Sequence, residues 1–226
     1  MKSTLKAVAV ISCLLFSTLH VTAQVNDAGL WASISIEKKL TQRLSLGFTE
    51  EARFNENISE LGTLFSDIGL GYKFFGGEWL GVSANYRFID KKRLDDSYST
   101  RHRWYIDAVV KKKFGMLVPS FRTRFQSQYA DVFTSDAGWK ADHYTRNKLT
   151  LKLDMEKKYK PFISAELFTQ LNDGALLNDN VRYAAGVDYS FNEHSAFGIG
   201  YLVEREMNVK NPEHNYIVTL GYAYSF

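Results

Sequence analysis

Between residues 28 and 226 large apolar and small or polar side chains alternate, and the alternation restarts about every 18 residues. In 79–91, Leu80, Val82, Ala84, Tyr86 and Phe88 interleave with Gly81, Ser83, Asn85 and Arg87. In 180–191, Val181, Tyr183, Ala185, Val187, Tyr189 and Phe191 oppose Arg182, Ala184, Gly186, Asp188 and Ser190. Residues i and i+2 share one face of a strand, so this pattern predicts two-faced β-strands. Eleven strand-like segments follow: 28–39, 42–55, 62–74, 79–91, 98–113, 116–130, 143–156, 160–171, 180–191, 195–207 and 214–226. Several exceed the five or six residues usual in soluble sheets and suit tilted strands that cross a bilayer.

A soluble sandwich also alternates, with its apolar face turned inward. Here the second face collects Arg, Lys, Asp and Glu together with many glycines, which suits the polar interior of a barrel. The fold expected is therefore all-β: a transmembrane antiparallel up-and-down β-barrel of about 10–12 strands. Short connections near 40–41, 75–77, 114–115, 158–159 and 192–194 alternate with longer ones near 56–61, 92–97, 131–142, 172–179 and 208–213. In bacterial barrels short turns are periplasmic and long loops external. The final strand then ends on the periplasmic side, with Tyr222, Tyr224 and Phe226 facing lipid as an interface girdle and C-terminal assembly signal. Eleven strands would place the N-terminus outside. Three alternatives stand: segment 28–39 lies outside the barrel, a twelfth strand is hidden, or the barrel closes with one parallel pair.

The first residues belong to none of this. A basic Met1–Lys6, the apolar run "AVAVISCLLF" and the small-residue site Val21-Thr22-Ala23 form a secretory signal peptide over 1–23, leaving a barrel over 24–226. Cys13, the one cysteine, sits inside that apolar run, so disulfides and thiolate metal sites are excluded from the mature chain. Loss of Lys2 and Lys6 lowers the formal net charge from +3 to +1, and the mixed signs along the chain give no nucleic-acid footprint. Aromatics are 15% of residues against only 3 prolines, which favours strands. No stretch after the leader reaches a membrane helix, so a membrane-spanning chain of this kind must close into a barrel.

The stretches "LWASISIEKKLTQRLSLGFTEEARFNEN" (30–57), "YRFIDKKRLDDSYSTRHRWY" (86–105), "RTRFQSQY" (122–129), "RNKLTLKLD" (146–154), "KPFISAELF" (160–168) and "NVKNPEHNY" (208–216) give the chain its family character. It resembles the Bacteroidetes outer-membrane barrel family known as domain of unknown function 2490, along essentially the whole mature length. The resemblance implies an outer-membrane barrel with no settled activity and supplies no catalytic residues.

The polar parity predicts a basic stripe in the lumen: Arg87, Arg101, Arg103, Arg122, Arg124 and Arg146. Asp67, Glu166, Asp188, Glu204 and Glu206 are the lumen acids expected to pair with it. A lumen filled by such pairs makes a structural barrel or a narrow small-solute channel. The competing class is a membrane-embedded hydrolase at the external mouth. Its candidates are Asp95 and Asp96 with His102, since paired carboxylates beside a histidine can activate water. His102 also shares the Trp104 and Ile106 parity, which points it outward. His194-Ser195 is the one adjacent Ser–His pair, and it falls in a short turn. His143 and His214, near the external ends of two strands, could hold a metal together with acids such as Asp142 and Glu213, but solvated loop histidines are far more common, and no metal or other cofactor is expected. The partners expected are outer-membrane lipid, the barrel-assembly machinery acting through the C-terminal strand, and an unidentified small solute, in the outer membrane of a Gram-negative bacterium. Glu50 shares the apolar parity of Leu46 and Phe48, and only a bulge at Glu50-Glu51 would turn it inward.

Overall fold

The computed structural model describes residues 26–74, 79–130, 141–155, 158–171 and 177–226. The leader over 1–23 and the turn expected at 75–77 lie outside the described residues, as does most of each loop expected at 131–142 and 172–179. Eleven strands are present among those described: β1 (Asn26–Lys39), β2 (Leu44–Asn55), β3 (Glu60–Lys73), β4 (Leu80–Lys92), β5 (Tyr98–Lys111), β6 (Leu117–Ala130), β7 (Ala141–Leu153), β8 (Tyr159–Gln170), β9 (Leu177–Ser190), β10 (Ser195–Glu206) and β11 (His214–Ser225). Each pairs antiparallel with the next in the chain, and β1 closes the barrel against β11.

The closing pair is parallel, running from Asn26↔His214 to Glu37↔Ser225. An odd number of up-and-down strands allows nothing else, because the first and last then run the same way. β1 also pairs along its length with β2, so segment 28–39 is part of the wall. One end of the barrel, the turn end, carries residues 40–43, 112–116, 154–155 and 191–194 together with Phe226. The other, the loop end, carries 56–59, 93–97 and 207–213 together with the start of β1.

Cross-strand partners reveal the tilt. From Glu50 the row runs through Ser66, Phe88, His102 and Tyr129 to Ala141, at the loop end of β7. In the other direction it runs through Ile34, Tyr222, Phe197 and Tyr189 to Tyr159, at the turn end of β8. A row perpendicular to the strands thus climbs from one rim to the other, as it must where strands lean roughly 35–45° from the axis.

The outer face is apolar and exposed, with Trp104 at 59%, Ile34 and Ile163 at 57% and Ile106 at 55%. The buried residues are instead largely polar or charged: Asp67, Asp107, Arg124, Gln126, Arg146 and Glu166 each lie below 9% exposure. This inverts the arrangement of a water-soluble domain.

The orientation of Glu50, left open by the sequence, is decided by register, and one expectation needs correction. The β2–β3 register is unbroken through Glu50 and Glu51 and shifts only between Arg53 and Phe54. Glu50 therefore stays on the outer face and Glu51 on the inner one. The contrast between short turns and long loops is weaker than expected at two places, since 56–59 is as short as 40–43 and 191–194, and 93–97 as short as 112–116, whereas 207–213 is longer than any of these. Residues 56–59 are tight because Glu56, Asn57 and Ile58 all take positive φ, at 50°, 56° and 68°. The Asp27 carboxylate accepts the N–H groups of Glu56 and Asn57 at 3.0 and 2.8 Å, and the Ala28 carbonyl accepts that of Ile58 at 3.0 Å. The start of β1 holds this strained loop in place.

Candidate functional site: the barrel lumen and its loop-end mouth

Polar parity aims one long side chain from nearly every strand at the axis, and these side chains organise into a ring. Arg53 lies over Trp31 at 3.7 Å and reaches Phe65 at 5.0 Å; Arg87 lies over Phe65 at 3.7 Å and reaches Tyr105 at 5.6 Å. Arg124 in turn lies over Tyr105 at 3.7 Å. Beyond Arg146, which faces Arg124 across the β6–β7 ladder, Phe168 sits between Arg146 at 4.2 Å and Arg182 at 4.5 Å. Arg182 then returns to Trp31 at 5.0 Å. Guanidinium and aromatic groups from β1 to β9 thus encircle the lumen. A weakly hydrated, planar cation suits both jobs, its face on a ring and its edge on a carboxylate.

The edges find their acids. Asp67 Oδ2 accepts from Arg87 Nε at 2.7 Å and from the Tyr105 hydroxyl at 2.5 Å. Arg124 grips both oxygens of Asp107, at 2.6 and 2.7 Å. Glu166 Oε1 accepts from Arg122 at 2.5 Å and Arg146 at 2.9 Å. Arg182 pairs with Glu204, Arg53 with Glu51 at 2.6 Å and Lys152 with Asp188 at 2.5 Å. Glu206 takes a different partner, the N–H of Glu213 at 3.0 Å.

Two cavities lie against this layer. A cavity of about 300 Å³ at the loop end is walled by Arg53, Phe65, Arg87, Lys91, Arg101, Arg103, Gln126, Gln128, Tyr144, Arg146, Phe168, Asp179, Asn180 and Arg182, among others. A second, of about 220 Å³, opens toward the turn end between Glu37, Thr49, Glu51, Asp67, Asn85, Arg87 and Tyr105. The two meet at Phe65 and Arg87, on the ring. Room on the far wall comes from glycine. A Cβ at Gly186 would lie 2.8 Å from Phe162 Cζ, and one at Gly200 3.7 Å from it.

Two arginines of the basic stripe stand apart. Among the described residues Arg103 meets only the neutral Gln128 amide, at 3.1 Å from Nε, and Arg101 Nε is buried with no hydrogen-bond partner. Both line the loop-end cavity.

The hydrolase candidates do not converge. Asp95 Oδ1 accepts from Ser97, at 2.6 Å from the hydroxyl and 3.1 Å from the N–H, and this bonding holds its carboxyl below the usual carboxylate range. Asp96 pairs with Lys92 at 2.7 Å. His102 lies on the outer face, its Nδ1 bonded to the Tyr86 hydroxyl at 2.6 Å and its ring beside Phe88. His194 Nδ1 meets the Ser225 carbonyl at 2.7 Å, while the neighbouring Ser195 hydroxyl meets Tyr222 at 3.3 Å. His143 bonds Ser127 on β6, and His214 begins β11, across the barrel from β7. Among the described residues no three His, Cys, Asp or Glu side chains are arranged to hold a metal.

Sequence reasoning missed the aromatic half of the ring. The available signal was that Trp31, Phe65, Tyr105 and Phe168 are large aromatics on the polar parity, where an open water-filled pore has no use for them.

Fold and lumen together define a closed β-barrel with an ion-paired, aromatic-lined interior. Within that class the chain belongs to the family described as protein of unknown function (DUF2490), which matches residues 28–217. No curated protein matches it. Among solved structures it is similar to the translocator domain of autotransporter NalP from Neisseria meningitidis, with a TM-score of 0.45 and 16% identity, over 83% of this chain and 76% of that one. It is also similar to the β domain of the Bordetella autotransporter Brka, with a TM-score of 0.43 and 14% identity, over 81% and 82%. Likenesses this distant say nothing of what the chain does.

Proposed function

We propose that the protein is an outer-membrane β-barrel of a Gram-negative bacterium, of the Bacteroidetes by its family resemblance, and that it serves as a structural barrel with its lumen shut rather than as a diffusion channel. The observation that carries this reading is the ion-paired ring across the lumen, with a cavity on each side of Phe65 and Arg87. Bilayer insertion is supported by the continuous outer surface of exposed Ile, Leu, Phe, Trp and Tyr, far beyond the apolar patches that soluble monomers tolerate. Strands of 12 to 14 residues at this tilt are long enough to cross the hydrocarbon. Residues 1–23 export the chain and are removed before Gln24. Lipid contacts the outer face, and the barrel-assembly machinery engages β11 through Tyr222, Tyr224 and Phe226. No convergence of acid, base and nucleophile favours the hydrolase.

Planar-bilayer recording tests the closed lumen. Folded protein is expected to insert with little conductance, and a large, steady conductance would refute the reading. Location is tested by fractionation. The processed chain is expected in the outer membrane with heat-modifiable gel mobility, and recovery as soluble periplasmic protein overturns it.

A further inference from the structure

We propose that the loop-end cavity binds a small molecule with a doubly charged oxyanion head, inorganic phosphate or a compact phosphate monoester being the fitting chemistry. The site lies inside the barrel wall, so the ligand is a free solute rather than a lipid headgroup; that it is reached from outside the cell rests on the reading above.

Charge makes the argument. Of the cations in the wall, Arg53, Arg87, Arg146 and Arg182 each have their acid. Lys91, Arg101 and Arg103 have no carboxylate within ion-pair distance among the described residues, and the wall holds one acid, Asp179. Counting the wall alone, three such cations against one carboxylate leave an excess of about two formal positive charges. Glu204 and Glu213 act on Lys91, and Glu204 and Glu206 on Asp179, from beyond it. The excess is therefore concentrated at Arg101 and Arg103, in a pocket bounded by protein where the field is focused rather than screened.

Geometry agrees. Arg101 Nε is buried and unbonded, and a buried donor without an acceptor is costly unless something supplies one. Arg101 and Arg103 are alternate residues of β5, so both point inward from neighbouring positions with donor forks suited to oxyanions. Gln126 in the same wall holds a buried amide oxygen with no partner among the described residues, and a half-turn of that amide presents an N–H instead. The volume, about 300 Å³, stands at the lower end for ligand pockets, enough for a charged head with a few carbons behind it. The Phe65 and Phe168 rings close the floor.

The test is calorimetric titration of detergent-folded protein with phosphate, sulfate and succinate at constant ionic strength. One saturable phosphate site is expected. Arg101→Gln with Arg103→Gln should weaken it roughly 100-fold or more, since charge-assisted hydrogen bonds are lost from both groups. Arg101→Gln alone removes no hydrogen bond seen among the described residues of the ligand-free protein and serves as the variant least able to disturb folding; heat-modifiable mobility reports that each variant is folded. Tighter binding of succinate than of phosphate would overturn the phosphate assignment. Failure of all three anions to bind folded wild-type protein, or unchanged affinity in the double variant, would overturn the site. Conductance of the same preparation separates the two readings. A sealed barrel that binds no anion removes the site alone, while a conducting barrel that binds phosphate removes only the closed lumen.

Discussion

At the scale of single residues, burial decides which ion pairs matter. Asp67 is 5% exposed and takes hydrogen bonds from both Arg87 and Tyr105. Asp67→Asn keeps the volume but strands the Arg87 charge inside the barrel. The expected loss is about 3–5 kcal/mol, the range for breaking a buried pair from one side, read by denaturant unfolding in lipid vesicles. The pair of Glu51 with Arg53 is more open, at 17% and 24% side-chain exposure, so Glu51→Gln is expected to cost about 1 kcal/mol or less. Equal costs would mean that burial does not grade the lumen pairs. Glu50 is the reverse case, a carboxylate at mid-strand on the outer face between Ile34 and Ser66. If that face meets hydrocarbon, Glu50→Gln should stabilise the barrel by about 1–2 kcal/mol, below the cost of a Lys or Arg at the bilayer midplane. A loss of stability would point instead to a polar environment at Glu50.

At the scale of elements, the β9–β10 wall depends on missing side chains. A Cβ on Gly186 would meet the Ile199 carbonyl oxygen at 2.5 Å and Phe162 at 2.8 Å. Backbone cannot yield as a flexible side chain can, so Gly186→Ala is expected to cost about 1–3 kcal/mol by overpacking. A neutral result in the same unfolding assay would show that β10 shifts freely. The terminal strand offers a contrast between adjacent residues. The Phe226 N–H donates to the Glu37 carbonyl at 2.9 Å, the last rung of the parallel seam, and its ring packs edge-on against Tyr224 at 4.8 Å. Deleting Phe226 should impair assembly into the membrane. Ser225→Ala leaves intact the backbone groups that bond His194 and should assemble normally. Assembly yield, read as the heat-modifiable fraction, distinguishes them, and equal tolerance of both changes would count against the seam.

At the scale of the whole molecule, the parallel seam sets where the chain begins. Because β1 and β11 run together, the start of β1 lies beside the 207–213 loop and opposite Phe226. A barrel with an even strand number would bring both ends to one side. A small epitope inserted directly before Asn26 is therefore expected to be as accessible on intact cells as one inserted in 207–213. Labelling of the first only after permeabilisation, with the second labelled on intact cells, would contradict the closure.

Much of this was legible in the linear pattern, because β-strands are read with a period of two and the period needs no partner. Alternation alone separates Trp104 from Arg103 and Tyr183 from Arg182, and so distinguishes an apolar outside from a charged inside. It also locates the strands to within a few residues. What it leaves open is everything that depends on which strand lies beside which. Eleven segments were visible, yet whether they closed as ten, eleven or twelve rested on a contact between the two ends of the chain. Glu50 could not be oriented, because a bulge at that position and one three residues later read alike in sequence. The pairing of Asp67 with Arg87 was out of reach too, since it depends on register. So was the ring through Trp31, Phe65, Tyr105 and Phe168, and so was the pair of arginines left without acids at the mouth. Parity is a property of each strand and is carried by its own residues. Register and closure belong to the sheet, and the balance of charge across the lumen exists only once the barrel has closed.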